Sequence, residues 1–107
     1  MYADVTDADW MDTYKTNVYG PYLMSMGFIP LLQAATDRTH GWSSTIINIS
    51  SISGLVRISQ GHPAYNASKG AMVYLNKMLA TEVQGSGLKV RINAVRLKHN
   101  IMFTIVL

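Results

Sequence analysis

Tyr65 and Lys69 stand four residues apart in the segment Tyr65-Asn66-Ala67-Ser68-Lys69. On a helix that spacing puts a phenol and an ammonium on one face, one turn apart. An ammonium beside a phenol stabilises the phenolate and brings a group whose pKa is ordinarily about 10 towards the range of general acid and base chemistry. The pair alone is a weak signal, because six tyrosines and five lysines among 107 residues give roughly 0.3 such pairs by chance, and a lone pair is ordinarily a solvated helix face. Its setting strengthens it. The apolar run Thr45-Ile46-Ile47-Asn48-Ile49 ends in Ser50-Ser51 and then Ile52-Ser53-Gly54, so a strand delivers serine hydroxyls into a loop just ahead of the tyrosine helix.

The elements that must position these groups are readable from caps and periodicity. Thr6 followed by Asp9 is an N-cap with an acid at the third position, and Trp10, Tyr14, Val18, Tyr22, Met26 and Ile29 continue as one face of a long amphipathic helix. Pro21 has no backbone N–H, so the carbonyl of Asn17, four residues earlier, loses its helical partner and the helix is expected to kink there. The segment 34–44 carries turn formers and no period and reads as a loop. Thr45 to Ser50 reads as a buried parallel strand covered on both faces. Pro63 opens the tyrosine helix, with Ser68, Met72, Leu75, Leu79 and Val83 as its buried stripe, Met72 and Met78 as core packing, and Gly85-Ser86-Gly87 as its stop. Lys89 to Val95 alternates, with Val90, Ile92 and Ala94 on one face, and completes a strand, helix, strand unit.

Composition narrows the class. A chain of 107 residues is at most one domain with a thin core. Its 49% hydrophobic and 14% charged residues are globular but more apolar than usual, so some apolar surface is expected to meet another chain or a further part of the protein. No cysteine is present, which excludes disulfides and thiolate metal sites, and His40, His62 and His99 have no ligand spacing, so no metal site is expected. The nine basic residues are dispersed apart from Lys89, Arg91, Arg96 and Lys98, which argues against a nucleic-acid partner. No apolar run approaches the ~20 residues of a membrane helix, and a cytoplasmic protein without membrane or nucleic-acid partners is expected. The triplets Asn48-Ile49-Ser50 and Asn66-Ala67-Ser68 match a glycosylation pattern but fall inside an expected strand and helix.

Four segments in this order resemble the short-chain dehydrogenase/reductase family: Asn17-Val18-Tyr19-Gly20 on the first helix, Ile47-Asn48-Ile49-Ser50-Ser51 at a strand end, Tyr65-Asn66-Ala67-Ser68-Lys69, and Val90-Arg91-Ile92-Asn93-Ala94-Val95. The resemblance implies an α/β fold, a partial Rossmann-like fragment of a doubly wound parallel sheet with the order helix, strand, helix, strand, over residues 1–95, followed by an atypical tail over 96–107. It also implies NAD(P)-dependent hydride transfer between an alcohol and a ketone or aldehyde. Tyr65 would exchange a proton with the substrate oxygen, Lys69 would stabilise the phenolate and bind the nicotinamide ribose, with Tyr65 also at the cofactor. Ser51 would hydrogen-bond the substrate oxygen, with Ser50 and Ser53 as rivals for that role, and the main-chain carbonyl of Asn17 would hold a relay water. The partners implied are a small carbonyl or alcohol substrate and a second copy of the chain, in a homo-oligomer through the two long helices.

The family's glycine-rich pyrophosphate turn has no counterpart in these residues, nor do its Asn-Asn-Ala-Gly segment and the Pro-Gly turn after the last strand. The expectation is therefore the catalytic middle of a larger enzyme, truncated at both ends, whose isolated chain binds no cofactor. The alternative in a different class is a non-catalytic fragment that acts at most by association. An unrelated unit with an accidental tyrosine and lysine pair would reveal itself by a serine and tyrosine that diverge in space.

Overall fold

A computed structural model of the chain describes residues 5–98 and 102–106. Helix α1 spans Asp7–Tyr14, a π-helical turn occupies Lys15–Tyr19, and α2 runs Gly20–Arg38. Strand β1 is Ser44–Ser51, followed by a 3-10 turn at Ile52–Gly54. Helix α3 is Pro63–Gly85, β2 is Val90–Lys98 and β3 is Met102–Val106. The sheet order is β1-β2-β3, with β1 and β2 parallel from Ser44↔Val90 to Ser51↔Leu97, and β3 antiparallel to β2. The expected helix, strand, helix, strand order is present as a partial α/β fragment. The second strand runs past Val95 to Lys98 and carries a third strand beside it, while His99, Asn100, Ile101 and Leu107 lie outside the described residues.

Local chemistry explains the helix starts. The Thr6 hydroxyl accepts from the Asp9 N–H at 3.2 Å, and the Asp9 carboxylate accepts from the Thr6 N–H at 2.8 Å, a reciprocal cap that satisfies two orphan donors. The Thr6 backbone and hydroxyl donors hold the Asp9 carboxyl below its ordinary pKa. Pro63 takes the first position of α3, where its missing N–H costs nothing. At the far end, Gly87 adopts φ +75° and the Leu88 N–H reaches the Val83 carbonyl at 3.3 Å, closing the helix where the glycines predict it.

At Pro21 the structure goes further than a kink. The Gly20 N–H bonds to the Lys15 carbonyl, a five-residue step, so the helix widens into a π turn immediately before the proline. A second proline, Pro30, lies inside α2 without ending it.

The expected loop over 34–44 is corrected: α2 continues to Arg38. Ala34 and Ala35 favour helix, Gln33 and Asp37 pair across one turn at 2.8 Å, and buried Thr36 is fixed by tertiary contacts. Its hydroxyl lies 3.0 Å from the Leu32 carbonyl and 3.2 Å from the Lys89 carbonyl, and it accepts from the Ser44 N–H at 2.9 Å. One hydroxyl thus ties the end of α2 to the starts of both parallel strands.

The core lies between the helices and one face of the sheet, where Leu79, Val83, Val90 and Ile92 are buried among Met26, Ile29, Leu32, Ile46 and Leu75. Two expectations about burial fail. Among the described residues β1 is covered on its helix side only, with Ile47 and Ile49 exposed on the other. Met72 is core but Met78 is exposed, because Met78 sits one residue before Leu79 and is rotated off the buried stripe by about 100°. Asn48 is buried in β1 and Asn66 lies on α3, as expected for triplets that read as strand and helix. No helix among the described residues is long and apolar enough to cross a membrane.

Candidate active site

The end of β1 and the start of α3 meet through glycine. A Cβ on Gly54 would fall 2.6 Å from the Lys69 carbonyl carbon and 2.7 Å from the Gly70 nitrogen, so the turn after β1 rests directly on the backbone of α3 at Lys69. Only a residue without a Cβ permits that approach. The strand's two-residue period then sorts the serines. Ser50 points beneath α3, where its hydroxyl donates to the Lys69 carbonyl at 3.4 Å. Ser51 faces a cleft of about 380 Å³ that it lines with Ser53, Gln60, His62 and Tyr65. Its Oγ accepts from the Ser53 N–H at 3.1 Å, which leaves the Ser51 O–H to donate. Of the three rival serines, Ser50 is therefore outside the cleft and Ser51 and Ser53 are in it.

Tyr65 occupies the first turn of α3, where the helix terminus favours negative charge. It lines the serine cleft on one side and, on the other, a second cleft of about 320 Å³ shared with Asp12, Thr13, Thr16 and Asn17. Serine and tyrosine do not diverge. Lys69 Nζ lies 5.7 Å from the Tyr65 ring centroid, within cation–π range, and donates to the Ile49 carbonyl at 3.1 Å. The strand carbonyl thus anchors the ammonium beside the phenol, with donors to spare.

Asn17 reaches this region through its side chain. Its Nδ2 donates to Ser68 Oγ at 3.0 Å, and fully buried Ser68 donates to the Tyr65 carbonyl at 2.7 Å. The widened turn before Pro21 is thereby fastened to the first turn of the tyrosine helix. Ser68, Gly54, Gln60 and His62 are the residues that sequence reasoning missed. Ser68 had a signal, sitting three residues from Tyr65 on the buried stripe, but it read as plain packing. A groove of about 220 Å³ between α3 and β2, lined by Val73, Asn76, Ala80 and Ile92 among others, contains none of these groups.

Comparison with known proteins gives the family. The model of the short chain dehydrogenase family matches residues 1–98. The chain belongs to the short chain dehydrogenase family. It is 38% identical over 97 residues to 2-(S)-hydroxypropyl-CoM dehydrogenase 3 of Xanthobacter autotrophicus, a match covering 88% of this chain and 34% of that protein. It is 34% identical over 93 residues to galactitol 2-dehydrogenase of Rhizobium johnstonii, covering 86% and 33%. The fold aligns with a crystal structure of a short-chain dehydrogenase from Streptomyces avermitilis with a TM-score of 0.69 and 25% identity, covering 90% of this chain and 34% of that one. The chain thus spans about a third of the length of these short-chain dehydrogenase relatives.

The family implies a nicotinamide cofactor, and the residues present fit one end of it. Lys69 Nζ, anchored beside Tyr65 with donors remaining, suits ribose hydroxyls. Gly54 does not suit a pyrophosphate, because it is already packed against the α3 backbone.

Proposed function

We propose that these residues form the proton-transfer part of an NAD(P)-dependent oxidoreductase that interconverts an alcohol and a ketone or aldehyde. The observation that carries the reading is the position of Tyr65 between the serine cleft and the Asn17 turn, with the Lys69 ammonium 5.7 Å from its ring. In the direction of reduction, Tyr65 gives its proton to the carbonyl oxygen while the Ser51 O–H donates to the same oxygen. The Lys69 ammonium and the α3 terminus stabilise the charge left on the phenol. The main-chain carbonyl of Asn17, deprived of its helical donor by Pro21, holds a water on the route by which Tyr65 is reprotonated. In oxidation the proton moves the other way. A bound nicotinamide supplies or accepts the hydride, and Tyr65 and Lys69 are the residues here that hold its ribose.

Association through α2 and α3 as a homo-oligomer belongs to the same proposal, supported by the exposed Leu31 of α2 and Tyr74 of α3. A second reading, an association module without catalysis, is favoured by one observation: the Ile47 and Ile49 side chains of β1 are exposed.

The two readings separate in one experiment. The complete protein is titrated with reduced nicotinamide cofactor, whose oxidation is followed with and without a panel of small ketones and aldehydes. The oxidoreductase reading expects saturable cofactor binding and carbonyl-dependent oxidation. An oligomeric protein with no saturable response to the cofactor and no oxidation would overturn it in favour of the association module.

A further inference from the structure

Gln60 and His62 line the cleft beside Tyr65 and Ser51 and have no part in the proton transfer. Their hydrogen bonds determine which of their polar atoms remain for a ligand. Asn66 Nδ2 donates to the Ile58 carbonyl at 2.8 Å, so the Asn66 atom that lies 2.8 Å from His62 Nδ1 is the amide oxygen. An amide oxygen only accepts. Nδ1 therefore carries the hydrogen, and in the neutral ring Nε2 keeps a free lone pair. The imidazole stands edge-on to the Tyr65 ring, with centroids 5.4 Å apart and planes at 85°. Across the cleft, the Ser53 hydroxyl donates to Gln60 Oε1 at 3.4 Å, which leaves the Gln60 NH₂ as a donor. Gln60 also holds φ +54°, a left-handed conformation unfavourable for a residue with a Cβ.

We propose that Gln60 and His62 form a subsite for a second hydroxyl of the substrate, close to the carbon that reacts at Tyr65. The substrate class is then a vicinal diol and its α-hydroxy carbonyl counterpart. This rests on the assignment of Tyr65 as the proton donor and adds what neighbours the reacting carbon. A hydroxyl is the group that satisfies both walls at once: its oxygen accepts from the Gln60 amide and its O–H donates to His62 Nε2. A methyl in that place leaves both unpaired, and a carboxylate has no hydrogen to offer the lone pair. Both side chains are exposed, so water offsets part of the loss, and the discrimination is about tenfold rather than the much larger factors of buried sites.

The test uses the full chain labelled with ¹⁵N-histidine, the His62→Phe variant identifying the His62 signals. Free His62 should show the Nδ1–H tautomer. Hydroxyacetone should move its Nε2 resonance, acetone at the same concentration should not, and Gln60→Met should diminish the response. In turnover, the complete protein should favour propane-1,2-diol over propan-2-ol about tenfold in kcat/KM, and His62→Phe, which keeps a ring against Tyr65, should bring that ratio close to one. An Nδ1 without hydrogen, or a His62 response that is equal for the two ketones or absent for both, overturns the subsite. Equal kcat/KM for the two alcohols in the unmodified protein overturns the subsite and leaves the Tyr65 assignment standing. A selective His62 response without hydride transfer from either alcohol supports the subsite and overturns the Tyr65 assignment.

Discussion

On the helix side of β1, Ser44 and Ser50 are 0% and 1% exposed and Asn48 is buried, whereas on the opposite side Ile47 and Ile49 are 56% and 54% exposed. The buried polar groups are stable there because each has a partner. Ser44 donates to the Leu32 carbonyl at 2.8 Å, Asn48 Nδ2 donates to Asn76 Oδ1 at 2.9 Å, and Ser50 donates to the Lys69 carbonyl. Small hydrogen-bonding residues let α3 lie close to the strand, and that closeness sets the Tyr65 to Lys69 turn against the serine loop. The isoleucine face has no cover for its side chains among the described residues, although the Ile49 carbonyl receives the Lys69 ammonium at 3.1 Å. The face packed on α3 is held by directional bonds and close backbone contact, while the apolar face supplies area for another surface.

Substitutions on the two faces should therefore differ in size and in kind. Gly54→Ala should have the largest effect, about 3 kcal/mol from the forced separation of the loop and α3, read as a lower denaturant midpoint at unchanged m-value. A silent Gly54→Ala would mean that the close contact is not what holds the serine cleft. Asn76→Ala should follow at about 2 kcal/mol, since it leaves the buried Asn48 amide without a partner. If it proves neutral, the polar bridge is not maintaining the helix-side packing. Ser44→Ala removes one such bond and should cost about 1 kcal/mol. Ile47→Thr on the open face should stay within about 0.5 kcal/mol while reducing self-association in sedimentation. A loss as large as that of Asn76→Ala would show that the isoleucine face is buried in the protein in solution.

Much of this arrangement was legible in the sequence where the cause is local. The Thr6 and Asp9 cap, the proline start and glycine stop of α3, and the alternation of Val90, Ile92 and Ala94 all act within a few residues. The failures share a different origin. Nothing near Thr36 says that its hydroxyl will meet Lys89, 53 residues away, so the end of α2 read as loop. A run of β-branched residues looks alike whether or not both its faces are covered, so β1 was expected to be buried throughout. In the site, spacing sufficed to pair Tyr65 with Lys69, and the family resemblance brought Ser51 forward. Spacing could not separate Ser50 from the cleft before the strand's facing was known, and it gave no hint that Asn17 would reach Ser68 or that Gln60 and His62 would share a wall with Tyr65.

The central claim is that Tyr65 moves the proton while Lys69 and the surrounding residues hold the partners in place. The most direct measurement compares the complete protein with Tyr65→Phe, recording carbonyl-dependent oxidation of reduced nicotinamide and cofactor affinity in the same samples. The account predicts a loss of turnover of about 100-fold or more with cofactor affinity lowered by no more than a few-fold, since Lys69 keeps its hold on the ribose and only the contact of the Tyr65 hydroxyl is lost. Turnover retained within a few-fold would contradict it.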